Sequence, residues 1–206
     1  EVLQHWSGLG YYSRARNLHS AAQVIVDEHG GQFPQDFETM LSLPGIGRST
    51  AAAVASFAFG QRQAILDGNV KRVLARYFLV EGRPGLPQVE KQLWALAQEL
   101  LPQADIEAYT QGLMDLGATL CSRAKPKCSA CPLIQTCRAY QQQRVNELPA
   151  SKPRKASPQK HTTMLILLKE NEVMLEKRPP SGIWGGLWSL PEIEPDMRPE
   201  DAARQR

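Results

Sequence analysis

The chain has 206 residues, 42% hydrophobic and 22% charged, the composition of an ordinary globular protein with room for one good-sized domain and part of another. A formal net charge of +3 is too small to demand a polyanionic partner by itself. No secretory apolar region and no apolar run of bilayer length occurs, so the cytoplasm is the expected compartment and a membrane partner is not expected.

Residues 1–6 read as the inside of a helix, and the chain stops at DAARQR soon after a new domain begins. It is therefore expected to be a fragment missing both ends. RARNLHSAAQVIVDEHGG, residues 14–31, places Leu18, Ala21, Ala22, Ile25 and Val26 on one helical stripe closed by Gly30 and Gly31. PQDFETMLSL (34–43) predicts a second, short helix, and RSTAAAVASFAFG (48–60) a third that stops at Gly60. Residues 68–79 and 88–101 continue the pattern, the latter with Val89, Leu93, Leu96 and Leu100 in phase. Asp105 is the expected N-cap of a further helix running to about Cys121. The first 120 residues are thus predicted to be essentially all helical.

Composition then shifts. PASKPRKASPQK, residues 149–160, holds three prolines and four basic residues with almost nothing to bury, which marks a linker. TTMLILLKENEVMLEKR (162–178) predicts two strands around a Glu-Asn turn, and a segment rich in Gly, Pro and Trp follows.

Three constellations carry chemistry. In LPGIG (43–47), Gly45 and Gly47 let the backbone turn tightly and leave amides bare at a helix N-terminus, the geometry that binds a phosphate. The flanking helices, the second built of small residues, make this a helix-hairpin-helix motif suited to gripping a DNA backbone. Asp67 follows Gly47 by twenty residues, one helix and one loop. As an aspartate before a helix it is an ordinary N-cap; brought back beside the hairpin, its carboxylate is also placed to stabilise the cation of a breaking N-glycosidic bond. The third is the cysteine run: Cys121, six residues, Cys128, two residues, Cys131, five residues, Cys137. Structural zinc also accepts four thiolates, but usually from two short-spaced pairs, and this run has a single Cys-x-x-Cys; read with the hairpin, it favours a [4Fe–4S] cluster. Lys71, Arg72 and Arg76 after Asp67, and Arg123, Lys125 and Lys127 between cysteines, are basic clusters that fit a solvated face or phosphate contacts equally well.

GLGYYSRARNLH, LPGIGRSTAAAV, ILDGNVKRVLAR, MDLGATLCSRAKPKCSACPLIQTC and RPPSGIWGGLW together resemble the adenine DNA glycosylases of the MutY type, over residues 1 to about 191. The resemblance implies a mostly α fold: a helix-hairpin-helix glycosylase domain over 1–148 with a four-cysteine iron–sulfur loop at 121–137, the linker at 149–160, and a truncated α/β Nudix-like recognition domain over 161–206. It implies Asp67 as the catalytic aspartate, Asn69 as a polar residue that helps hold the site, Tyr11 as an aromatic wedge in the DNA stack, Gly45 and Gly47 as hairpin donors and Lys71 as a basic residue close to DNA. Without it, Tyr11 reads as half of a buried tyrosine pair. The activity implied is monofunctional hydrolysis of adenine mispaired with 8-oxoguanine or guanine in double-stranded DNA, by a monomer. Bifunctional relatives carry a lysine where this chain has Ser49, and a serine cannot form the imine that precedes strand cleavage. The Glu-rich helix with which Nudix hydrolases hold Mg²⁺ does not follow Trp188, so nucleotide hydrolysis is not expected. The family's general-acid glutamate would lie on a helix upstream of Glu1, leaving the fragment inactive alone. Two alternatives stay open: an endonuclease III-type enzyme acting on oxidised pyrimidines, which Ser49 opposes, and a zinc-stapled DNA-binding module without catalysis.

Overall fold

The computed structural model describes residues 2–151, 159, 161–194 and 197–204. Most of the linker expected at 149–160 lies outside the described residues. Asn17–Pro153 form one unit, and the segments before and after it form a second.

Helix α2 (Tyr12–His29), which belongs to the first unit from Asn17 on, ends in Gly30 and Gly31, both left-handed, as the sequence predicts. Helix α3 (Phe37–Ser42) starts at Asp36, whose carboxylate accepts from the Thr39 hydroxyl (2.7 Å) and the Thr39 amide (2.8 Å). Those two bonds, the hydroxyl first, hold the Asp36 carboxyl below its ordinary range. Helix α4 (Arg48–Phe59) buries Ala51, Ala52, Ala55 and Ser56, and this slim face lets Met40 of α3 pack closely against it. The helix stops at Gly60, in the left-handed conformation that frees its amide for the Ala55 and Ser56 carbonyls.

Helix α5 (Gly68–Tyr77) is strongly amphipathic: Val70, Val73, Leu74 and Ala75 face inward. Val70, Leu74 and Ala75 meet Val89, Leu93 and Ala97 of α6 (Pro87–Glu99), which begins with a proline whose missing amide costs nothing in the first turn. Helix α7 (Ile106–Asp115) completes this core with Ile106. Asp105 precedes α7 as expected, but in a left-handed conformation (φ 55°) that gives its side chain no cap hydrogen bond. The helix then widens into a π-turn, Leu116–Leu120, before reaching Cys121. Gly117 in that turn lies so close to α5 that an added Cβ would meet the Asn69 Cβ at 2.7 Å. A 3₁₀ turn (Cys128–Ala130) and helix α8 (Arg138–Gln141) follow.

The second unit contains helix α1 (Val2–His5) and a set of short antiparallel pairs. The predicted hairpin around Glu170 and Asn171 is present, with Leu168 opposite Val173 and Glu170 left-handed, but its two strands are each broken. Strand β1 (Thr163–Met164) pairs with β6 (Glu192–Ile193), β2 (Leu168–Lys169) with β3 (Glu172–Val173), and β4 (Glu176–Lys177) with β5 (Trp188–Ser189). Leu165, Ile193 and Ala202 of helix α9 (Pro199–Arg204) form its small core. No helix among the described residues is long and apolar enough to cross a membrane.

Candidate functional site

The hairpin at residues 43–47 is shaped by two glycines with different duties. Gly45 has φ +77°, and a Cβ there would lie 2.5 Å from the Asn17 Cβ, so both conformation and space require glycine. Gly47 has an ordinary φ of −91° and open space around it, so the fold alone does not demand glycine. It is the N-cap of α4 without any capping side chain, which leaves the first amides of the helix uncapped. The Arg48 guanidinium stacks 3.8 Å from the centre of the Trp94 ring.

Helix α4 and the loop after it return the chain so that the Leu66 amide donates to Ser49 Oγ at 3.2 Å. The next residue is Asp67, half-buried at the N-cap of α5. Its Oδ1 accepts from the Val70 amide at 2.8 Å, and its Oδ2 from Asn69 Nδ2 at 3.2 Å. Capping and chemistry are therefore compatible: one oxygen fixes the helix, while the other is steadied by Asn69. Asn69 Oδ1 in turn accepts from Arg72 Nη2 (2.8 Å), and Arg72 donates to the carbonyls of Gly117 (2.6 Å) and Cys121 (2.7 Å). A continuous polar chain thus runs from the carboxylate to the first cysteine. Lys71 points elsewhere: its ammonium meets Glu90 Oε1 at 2.7 Å.

All four cysteines are unpaired, and their side chains line one apolar pocket with Leu120 and Ile134. Arg76, only 2% exposed, anchors that loop. It donates to the carbonyls of Leu148 (2.8 Å), Ser122 (2.9 Å) and Cys121 (3.2 Å), and to Cys121 Sγ (3.2 Å). Burial first, then neighbouring Cys121 and Cys137, push the Cys128 thiol up, while Arg76 opposes them. Among the described residues no three His, Cys, Asp or Glu side chains converge on a point that would hold one metal ion. Four thiols around a shared apolar pocket, with a guanidinium against one sulfur, are a donor set that fits a group taking four thiolates. Arg123, Lys125 and Lys127 stand exposed on the outside of the loop.

Of the two basic clusters, only this outer one faces solvent throughout. Arg76 is sunk among carbonyls, Arg72 is bound to the π-turn, and Lys71 is ion-paired. Sequence reasoning treated those three as surface charges and gave no role to Glu90 or Gly117. The signal for Arg76 was available, since it falls three residues after Val73 on the apolar face of α5. In the second unit Tyr11 is 82% exposed with φ 46°, so it is not half of a buried tyrosine pair.

The family described as HhH-GPD superfamily base excision DNA repair protein matches residues 1–99, and the NUDIX domain family matches residues 162–206. The adenine DNA glycosylase of Buchnera aphidicola subsp. Acyrthosiphon pisum (strain APS) is 40% identical over 194 residues, covering 94% of this chain and 55% of that protein. The chain spans about half the length of the curated relatives it matches. Among solved structures, a thermostable thymine-DNA glycosylase superposes with a TM-score of 0.60 at 34% identity, over 68% of this chain and 65% of the other. An endonuclease III from a non-covalent DNA complex superposes with a TM-score of 0.59 at 26% identity, over 69% and 65%. The hairpin and the capped aspartate both fall within residues 1–99, the segment that matches the HhH-GPD superfamily of base excision DNA repair proteins.

Proposed function

We propose that the full-length protein is a monofunctional adenine DNA glycosylase acting on double-stranded DNA in which adenine is mispaired with 8-oxoguanine or guanine. The observation that carries this reading is the junction of Ser49 and Asp67. A carboxylate is held half-buried at a helix start, and the neighbouring side chain from the hairpin helix is a hydroxyl, not an amine. The uncapped amides at Gly47 grip a phosphate, with room there for close approach, while Arg123, Lys125 and Lys127 meet further phosphates. Exposed Tyr11 is suited to entering the base stack as the adenine is flipped out. The Asp67 carboxylate stabilises the positive charge that grows on the sugar as the glycosidic bond lengthens, and Asn69 keeps it aimed. The leaving adenine needs a proton from a second group, and water completes the reaction at C1′ to leave an abasic site. Ser49 offers no amine for an imine, so strand cleavage is not part of this chemistry.

Cys121, Cys128, Cys131 and Cys137 would hold a [4Fe–4S] cluster, which supplies a structural clamp for the loop that presents the three cations. We place the enzyme in the cytoplasm as a monomer. Asp67→Asn in the full-length protein tests the reading, because the amide can still accept the Val70 hydrogen bond but carries no charge. Single-turnover excision from an adenine–8-oxoguanine duplex is expected to fall more than about a hundredfold, with duplex binding retained. Excision within about tenfold of the parent, or ~1.4 kcal/mol, would remove Asp67 from the chemistry.

A further inference from the structure

Arg48 stands where neither helix formation nor the chemistry of Asp67 calls for an arginine. It is the first residue of α4, whose first turn holds no acidic side chain and whose N-cap, Gly47, offers no side-chain acceptor. The helix dipole and the bare amides make that turn positive, so a cation there is disfavoured and a carboxylate would serve the fold better. Its guanidinium has no hydrogen bond or ion pair among the described residues. By contrast, Arg62, Arg72, Arg76 and Arg144 of the same unit all donate to carbonyls or carboxylates. What Arg48 has instead is an aromatic face, 3.8 Å from its guanidinium to the centre of the Trp94 ring. Stacking occupies a face of the guanidinium and leaves its N–H edge open to a ligand.

Trp94 is suited to be a platform. It lies on α6, half-buried, next to fully buried Leu93 and packed against the core that α5 and α6 share. A tryptophan has only two side-chain torsions, and packing against the core fixes them. An exposed arginine has many more conformers, and ordering them on binding weakens a contact. Holding the guanidinium on an indole in the unbound protein removes much of that cost.

We propose that Trp94 is a positioning residue that holds the Arg48 guanidinium beside the bare amides of α4, so that a DNA phosphate received there meets a fixed cation as well as amide donors. The inference deepens, and rests on, the reading that the hairpin receives a phosphate. The two kinds of donor complement each other. The amides supply directed hydrogen bonds, and the guanidinium supplies a full charge on a planar edge that matches two phosphate oxygens. The phosphate in turn answers the positive charge that the first turn of α4 otherwise carries alone.

The test reads binding of the full-length protein to a duplex carrying a stable abasic analogue, so adenine excision does not enter. Arg48→Gln removes the charge, and the slope of log K against log salt should become shallower by about 0.9, the value of one phosphate contact. Trp94→Leu keeps an apolar side chain against the core but removes the aromatic face. Affinity should then fall about fivefold, the scale of ordering one long side chain on binding, with the slope kept because the charge remains. Trp94→Phe restores a flat face and should recover most of that loss. In the Arg48→Gln background, Trp94→Leu should cost nothing further. An unchanged slope in Arg48→Gln, or a fivefold loss from Trp94→Leu that persists without Arg48, overturns the proposal.

A second measurement needs no change at Trp94. In proton NMR spectra the Arg48 side-chain signals, identified by their loss in Arg48→Gln, should be shifted upfield by the indole ring and stay so with the duplex bound. Ordinary arginine shifts in either state would overturn the proposal even if Trp94→Leu failed to fold. Gly47→Ala on the same duplex separates the two levels. Weaker binding there, with an unchanged slope in Arg48→Gln, would sink the role of Trp94 and leave the hairpin reading standing.

Discussion

The hairpin at residues 43–47 and the cysteine loop at residues 121–137 are both irregular segments laid against the same helical unit, and they are held in opposite ways. The hairpin is fixed by shape. Gly45 abuts Asn17, Ile46 packs into the Met40–Ala51–Ala55 cluster, and no side-chain donor among the described residues holds the turn. The cysteine loop is fixed by donors. Arg72 and Arg76 reach out of α5 to the carbonyls of Gly117, Cys121, Ser122 and Leu148. A segment held by shape should be sensitive to added volume, whereas one held by donors should be sensitive to a lost charge.

The largest effect is expected at Arg76. Arg76→Met fills much of the same space but strands buried carbonyls that now share one guanidinium. The loss should be about 3–5 kcal/mol, as when one partner of a buried charged network is removed. Urea unfolding of the full-length protein measures it, and iron content should drop with it because Cys121 loses its nearest donor. Arg76→Lys should recover little, since an ammonium lacks the planar fork that reaches several carbonyls at once. A loss below about 1 kcal/mol for Arg76→Met would mean that the loop is held by something other than these bonds.

At the hairpin the expected response runs the other way. Gly45→Ala adds one methyl at a left-handed position, 2.5 Å from the Asn17 Cβ, and should cost about 2 kcal/mol. Gly47→Ala adds the same methyl where φ is ordinary and space is open, so its cost should stay within about 1 kcal/mol. Any larger loss of DNA affinity in Gly47→Ala then reports lost close approach by the phosphate. If both variants unfolded at the same denaturant concentration, the steric account of Gly45 would be wrong.

The same contrast explains which features were legible in the sequence. A shape-held turn announces itself, because Gly45, Gly47 and the alanines of α4 are visible as letters at fixed spacing. Asp67 before α5 and the four cysteines were equally plain. Donor-held contacts are not plain, because an arginine letter does not say whether its guanidinium faces water or a carbonyl far along the chain. Arg76 bonds Leu148 across 72 positions, a distance that no local pattern encodes. Asp105 failed for a related reason: the letter fits a cap, but the left-handed backbone turns its side chain away from the amides. The π-turn at Leu116–Leu120 carries no sequence mark either; it accompanies the close approach of Gly117 to Asn69, a tertiary contact. Pattern alternation located the β-hairpin at Glu170 and Asn171, but not the breaks within its strands.

The smallest effect is expected at Thr110, which sharpens the comparison from inside the core. Thr110 lies on α7, fully buried, and its hydroxyl has no hydrogen-bond partner among the described residues. It is the reverse of Arg76: a polar group that the interior surrounds without answering. Burying a hydroxyl without a partner costs about 1–3 kcal/mol, and valine has nearly the same shape with a methyl in its place. Thr110→Val should therefore stabilise the protein, by about 1 kcal/mol, the lower end of that range, because a helical threonine can turn its proton toward the carbonyl four residues back. Thr110→Ser is the control, since it keeps the hydroxyl and removes the packed methyl, and it should destabilise by about 1 kcal/mol. Denaturant midpoints at constant slope distinguish the two. A Thr110→Val protein less stable than its parent would show that the hydroxyl is answered after all, and that every buried polar group of this core, like Arg76, is held by a partner.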